Sequence, residues 1–161
     1  MKHSLVKLKE QIKEKLTFFY PKYNGVKGFF GNGNVFFVCQ RPSTGHFPSK
    51  RDKLFYKLLK KYGFKNGHIT DLVKTRGKVI ACIPKDEFEL NWPIFEQEIE
   101  ILKPRLIVAI GSNAYNNLKG RTRGIKLIKI IHYAFRYGDK EKIKRKLESD
   151  IKRVKKEISR L

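Results

Sequence analysis

Acid is what this chain most lacks. Its 161 residues carry 15 Asp and Glu against 37 Lys and Arg, a formal charge of +22. Such an excess points to a polyanionic partner, of which nucleic acid is the commonest. A heat-adapted surface would also be rich in lysine, but that pattern pairs lysine with glutamate, and here glutamate does not keep up. Cysteine is nearly absent: Cys39 and Cys82 are too few for a disulfide scaffold or a four-cysteine metal site. No apolar run reaches about 18 residues, so no segment reads as a transmembrane helix. The opening stretch MKHSLVKLKEQIKEKL is charged and amphipathic, with no uninterrupted apolar region after it. It reads as a helix rather than a signal peptide, which makes a cytoplasmic location the expectation. Scarce glutamine, one methionine and abundant lysine and isoleucine suggest a thermophile source. The length suits a single domain with a real core.

The charge that is present is uneven. Between Arg41 and Lys78, eleven Lys or Arg stand against only Asp52 and Asp71, whereas six carboxylates gather between Asp86 and Glu100. A basic face or edge is expected, with an acidic helix turned away from it. Leu5, Leu8, Ile12 and Leu16 recur at helical spacing and predict a helix over 4–18. GFFGNGN reads as a turn and Val35–Cys39 as a short buried strand. Residues 50–62 read as a helix with Ser49 as N-cap, and 68–73 as a second strand. Residues 93–103 read as a helix, RLIVAIG as the clearest strand, and 112–118 as a helix capped by Ser112. Residues 125–131 read as a fourth strand, and 139–161 as a last helix capped by Asp139. Strands alternating with helices predict a three-layer α/β/α fold around a central, mostly parallel four-stranded sheet.

In such sheets ligands bind beyond the carboxyl ends of the strands. The stretch VFFVCQRPSTGHF drives an apolar strand into a polar turn, which packing alone does not require. Gln40-Arg41-Pro42 follows the first strand, Asp71 sits at the end of the second, Gly111-Ser112-Asn113 follows the third, and His132 follows the fourth. These groups should converge on one edge. Each also has a structural reading: His132 as a structural strand-end residue, Asp71 as a turn cap, Phe47 as core, Lys50, Arg51 and Lys53 as solvated surface. His46 and His68 read as structural or phosphate-facing.

Four segments, in order, resemble the uracil-DNA glycosylase superfamily, nearest its bacterial and archaeal iron–sulfur group, over roughly residues 30 to 137. GNGNVFFVCQRPS resembles its turn, strand and first catalytic loop. HITDLVKTR resembles the strand ending in a base-reading Asn, followed by Lys and Arg. ILKPRLIVAIGSNAYNNL resembles its Pro, apolar strand, Gly and helix start, and IHYAFRYG its second catalytic loop. The resemblance implies a base swung out of DNA into a pocket. It implies that His132 donates to the leaving base and that Phe47 stacks on it. Pro42, Ser43, Ser112 and Asn113 would hold phosphates, with Lys50, Arg51, Lys74 and Arg76 on the same basic edge. The loop tip, Tyr133 with Phe135 and Arg136, would fill the space the base leaves.

The departures are equally specific. The group's catalytic Glu is Gln40, and the next residue is Arg41, placed to hold a phosphate or the departing base. The base-reading Asn is Asp71, which when ionised only accepts. The Pro after the catalytic His is Tyr133. The cluster cysteines are missing, so no metal and no cofactor are expected. The reading is a monofunctional DNA glycosylase that excises uracil or a related deaminated base, with water held by Gln40 or activated by Asp71. Its partner is DNA, duplex or single-stranded with a flipped base, bound by a monomer. The alternatives are a catalytically silent DNA-binding protein of the same fold, a glycosylase for another base such as deaminated adenine, and a basic RNA-associated protein.

Overall fold

The computed structural model describes residues 2–12, 17–78, 82–135 and 138–161. Its elements are α1 (Lys2–Gln11), a short 3-10 turn (Gly28–Phe30), β1 (Val35–Cys39), α2 (Lys50–Lys61), β2 (His68–Asp71), α3 (Lys85–Leu102), β3 (Leu106–Ile110), α4 (Ser112–Leu118), β4 (Lys126–Ile130) and α5 (Lys140–Ser159). The four strands form one parallel sheet in the order β2-β1-β3-β4. β1, β2 and β3 are buried throughout, which is why β1 and β3 read as continuous apolar runs rather than alternating ones. Of the two edge strands, β2 is buried and β4 is open to solvent, where its exposed Lys126 and Lys129 guard it against pairing with another chain.

Alternation along β1 divides the core in two. Val35, Phe37 and Cys39 face α2 and α5, meeting Phe55, Leu59, Leu147, Ile151 and Val154. Phe36 and Val38 face the other way, toward Leu5 of α1, Phe88, Phe95 and Leu102 of α3, and Ala114 and Leu118 of α4. The expected three-layer α/β/α arrangement is therefore present, with a wholly parallel sheet.

Three local expectations need correction. The N-terminal helix ends at Gln11 rather than running to 18; residues 13–16 lie outside the described residues. Thr17 bridges Thr75 and the Phe18 N–H donates to the Lys74 carbonyl at 2.9 Å, so this stretch is held extended across the sheet edge. Thr, Phe, Phe and Tyr in a row are weak helix formers, and tertiary contacts decide. α3 begins at Lys85 rather than Pro93 and continues through that proline. A mid-helix proline costs roughly 3 kcal/mol, but Phe88 before it and Phe95 and Leu102 after it pack on the same sheet face. Finally, Ser112 is the first residue of α4 and not its cap; Gly111 holds that place with no side-chain bond. Ser49 and Asp139 cap α2 and α5 as read, Ser49 through a capping box with Asp52.

Candidate functional site

Because all four strands run the same way, every strand exit opens on one edge. Cys39 is in register with Asp71, Val38 with Ala109, and Ile110 with Ile130. The chain leaves β1 for one helical layer, through α2, and leaves β3 for the other, through α4. In doubly wound sheets such a divergence leaves a crevice between neighbouring strands, and ligands bind there.

His132 sits beside Gly111, where the chain leaves β4 and β3. Gly111 has φ +89°, and a Cβ there would lie 3.2 Å from the His132 Cβ and 3.3 Å from its Cδ2. Only glycine satisfies both the backbone and that approach. The Ala134 N–H donates to His132 Nδ1 at 3.0 Å. Nδ1 is thereby an acceptor, so the neutral ring carries its proton on Nε2. Burial, and then the nearby Arg51 guanidinium, lower the ring's pKa to about 4, against a smaller opposing pull from Asp52. The ring is therefore neutral across the physiological range and offers one N–H. Tyr133 backs it, with ring centroids 5.2 Å apart, and Tyr133 stacks in parallel on Phe55 at 4.5 Å and 5°. Two bonds from other elements hold the loop: Arg51 Nη1 donates to the Ala134 carbonyl at 3.1 Å, and buried Asp150 accepts from the Ile131 N–H at 2.9 Å.

Asp71 lies on the other side of the edge, 1 % exposed, in a buried group with Tyr20, Cys39 and Tyr133. The Tyr20 hydroxyl reaches its Oδ1 at 3.4 Å, while Oδ2 has no hydrogen-bond partner. Burial raises its pKa to about 7, opposed by the Lys74 cation and the Tyr20 bond. Gln40 Nε2 is also buried without a partner. An unpaired donor after β1 and an unpaired acceptor at the end of β2 are costly unless something meets them.

Phe47 is partly buried against Phe18, Tyr23 and Tyr56. Pro42 is buried, whereas Ser43, Lys50, Ser112 and Asn113 are exposed. Arg76 pins the first loop from outside: Nη1 donates to the Ser43 carbonyl at 2.6 Å and the Gly45 carbonyl at 3.0 Å, and the guanidinium lies over Phe18.

Several expected surface residues are placed otherwise. Lys74 is 1 % exposed and not on a DNA-facing edge; it pairs with Glu98 at 2.6 Å, donates to Thr70 Oγ1 at 2.7 Å and caps the Asp71 carbonyl. Arg41 is turned inward to Glu87 of α3, which takes it from the role of holding a phosphate or base. Tyr133 is 7 % exposed in the core rather than at a loop tip; Phe135, 46 % exposed, occupies that place. Arg136 lies outside the described residues. His68 is structural: its ring contacts the Phe29 carbonyl at 2.6 Å and Glu98 at 2.9 Å.

Sequence reasoning passed over Glu98, Tyr20 and Asp150. Glu98 had a signal, since it lies on the inward stripe of α3 with Phe95 and Leu102. A buried carboxylate there needs partners, and His68 and Lys74 are those partners. Burial pushes its pKa up, but Lys74 and His68 together hold it below the usual range. Removing one member of such a group strands the others, so Glu98→Ala should cost about 3–5 kcal/mol in a urea unfolding curve. A loss under 1 kcal/mol would mean the triad is not formed.

Among the described residues no group of three or more His, Cys, Asp or Glu could hold a metal ion. Nor do the cysteines fit an iron–sulfur cluster, which takes four thiolates: Cys39 is buried among tyrosines and Cys82 is exposed on its own. No described helix is long and apolar enough to cross a membrane. A comparison with curated proteins finds no match. The family model of the uracil DNA glycosylase superfamily matches residues 28–154, from the 3-10 turn into α5, and covers every strand exit described above. The chain belongs to the uracil DNA glycosylase superfamily.

Proposed function

We propose that the protein is a monofunctional DNA glycosylase that hydrolyses the N-glycosidic bond of a deaminated base, acting as a monomer on a nucleotide flipped out of DNA. One observation carries this reading. His132, neutral and fixed with its proton on Nε2, stands at a strand exit as a preorganised hydrogen-bond donor. When the bond from C1′ to the base breaks, its electron pair leaves with the base. Negative charge then gathers on the base oxygen, and positive charge on the sugar. A donor already aimed at that oxygen stabilises the transition state without reorganising. Water adds to C1′ and gives up its proton, and the base anion is protonated by solvent. Gln40, in place of a carboxylate, positions the water but cannot deprotonate it.

Asp71 reads the base. In its protonated form the carboxyl both donates and accepts, as an Asn would, and matches the adjoining N–H and C=O of uracil or hypoxanthine. Phe47 offers a face for stacking, and Ser43, Ser112 and Asn113 are the exposed polar groups available to phosphates.

The second reading, a catalytically silent DNA-binding protein, is favoured by one feature. Tyr20 covers Asp71, so a base must displace it to enter. Duplexes bearing uracil, hypoxanthine, xanthine or a thymine mismatch, incubated warm and then treated with alkali, separate the two. Strand scission at a deaminated base is the expected result. Intact strands with every lesion, together with retained binding, would establish the silent protein.

A further inference from the structure

The two helical layers carry opposite charge. α2 has six Lys or Arg against Asp52, and α5 has nine against four carboxylates. α3, on the opposite face of the sheet, has Lys85 against six carboxylates. α2 and α5 are neighbours: both pack on the Phe37 side of the sheet, and Lys61 pairs with Glu148 at 2.8 Å between them.

The outward ridges of both helices are uniform in sign. On α5 the core side is Leu147, Ile151 and Val154, and the opposite ridge is Lys142, Arg145, Ser149, Lys152 and Lys156, all exposed. On α2 the core side is Phe55, Leu58 and Leu59, and the opposite ridge is Lys50, Lys53, Lys57 and Lys60, again all exposed. No carboxylate stands on either ridge. Three of the four carboxylates of α5 lie at its flanks and are engaged there, Glu148 by Lys61, Asp150 by Lys146 and Arg153, and Glu157 by Lys126 and Arg160. Among the described residues, no ridge Lys or Arg of either helix forms an ion pair with a carboxylate.

Such a surface costs free energy through self-repulsion unless an anion shares it. A heat-adapted helix would interleave Glu with Lys on the same exposed face, and these ridges do not. A membrane-binding helix needs an apolar face to insert, but the apolar stripe of α5 is already in the core. From Lys142 to Lys156 the ridge spans about 21 Å at 1.5 Å per residue, long enough to follow about six phosphates of one strand.

We propose that the outer face of the α2–α5 layer is a second nucleic-acid surface, which holds the phosphate backbone of duplex DNA away from the strand-exit crevice and takes no part in base excision. The proposal rests on DNA being the partner, not on any excision chemistry. It gives the protein a way to stay on undamaged duplex by counterion release alone.

The test compares two neutralised variants that lose equal charge. The ridge variant carries Lys142→Gln, Arg145→Gln, Lys152→Gln and Lys156→Gln. The control carries Lys7→Gln, Arg105→Gln, Lys119→Gln and Arg123→Gln, away from that face. Affinity for an undamaged duplex of about 30 base pairs is followed by anisotropy between about 50 and 200 mM salt. The ridge variant should bind about ten- to a thousandfold more weakly at low salt, with a slope of log affinity against log salt shallower by about 2–4. The control should keep the slope of the unaltered protein. Equal losses in both variants would mean that net charge alone acts, and no loss in either would mean that the ridge is idle; each overturns the proposal. So would unchanged DNA affinity with lost binding to phosphatidylserine vesicles, which would assign the ridge to a membrane. If the ridge variant does not fold by circular dichroism, Lys53→Gln, Lys57→Gln and Lys60→Gln give the same readout from α2. Failure of the excision reading leaves this result standing, because the duplex contains no lesion.

Discussion

Replacing His132 by alanine should lower the rate of base release by two to three orders of magnitude and leave affinity for undamaged DNA nearly unchanged. The size follows from the role: a single preorganised donor to developing negative charge is worth about 3–4 kcal/mol. It exceeds what the loop's other groups supply, because Gln40 cannot act as a general base and Arg41 is tied to Glu87. The ring's neutrality adds a second readout. With its pKa lowered to about 4, by burial first and Arg51 next, His132 does not titrate between pH 5 and 9. The rate should therefore show no imidazole limb near the ordinary value of about 6.5. An alanine variant within threefold of the unaltered protein, or a limb near 6.5 that the substitution abolishes, would contradict the assignment.

The second large effect belongs to Asp71. Its carboxyl is raised to about 7, so it is protonated below that pH and ionised above it. Excision of uracil should therefore fall as pH rises through about 7, when the donor that meets the base carbonyl is lost and an unpaired charge remains against it. Sites built to hydrogen-bond a substrate lose up to about 10⁴-fold when that match fails. Asp71→Asn fixes the donor and acceptor permanently. It should abolish the fall and leave the variant more active than the unaltered protein above pH 8, on uracil and on hypoxanthine alike. Steady-state rates on the two substrates from pH 5.5 to 9 would show this. A variant inactive at every pH, down by two to four orders, would instead mark Asp71 as the general base.

Which parts of this site could be read from residue order follows from physics. β1 and β3 are continuous apolar runs because both faces of a parallel sheet are covered, and each ends where polarity begins. Once the strands were parallel, the convergence of Gln40, Asp71, Gly111 and His132 followed from direction alone. The charge on Lys74 and the hydroxyl of Tyr133 misled, because both suggest solvent. Burial of either depends on partners far away in sequence: Glu98, 24 residues on, neutralises Lys74, and Phe55, on a different helix, stacks on Tyr133. α3 was truncated for a related reason, since a proline's local cost is visible in sequence and the packing of Phe88 that outweighs it is not. Tyr20 was hidden by the helical spacing of the residues before it, whereas the chain there is drawn straight to reach Asp71.

The most direct test of the account is chromatographic detection of free base from a duplex carrying one uracil or one hypoxanthine, with the unaltered protein and His132→Ala side by side. The account predicts stoichiometric free base and an alkali-labile site with the unaltered protein, and release slowed about a hundredfold or more by the substitution. No free base from either lesion at any temperature at which the protein stays folded and bound to DNA would contradict it.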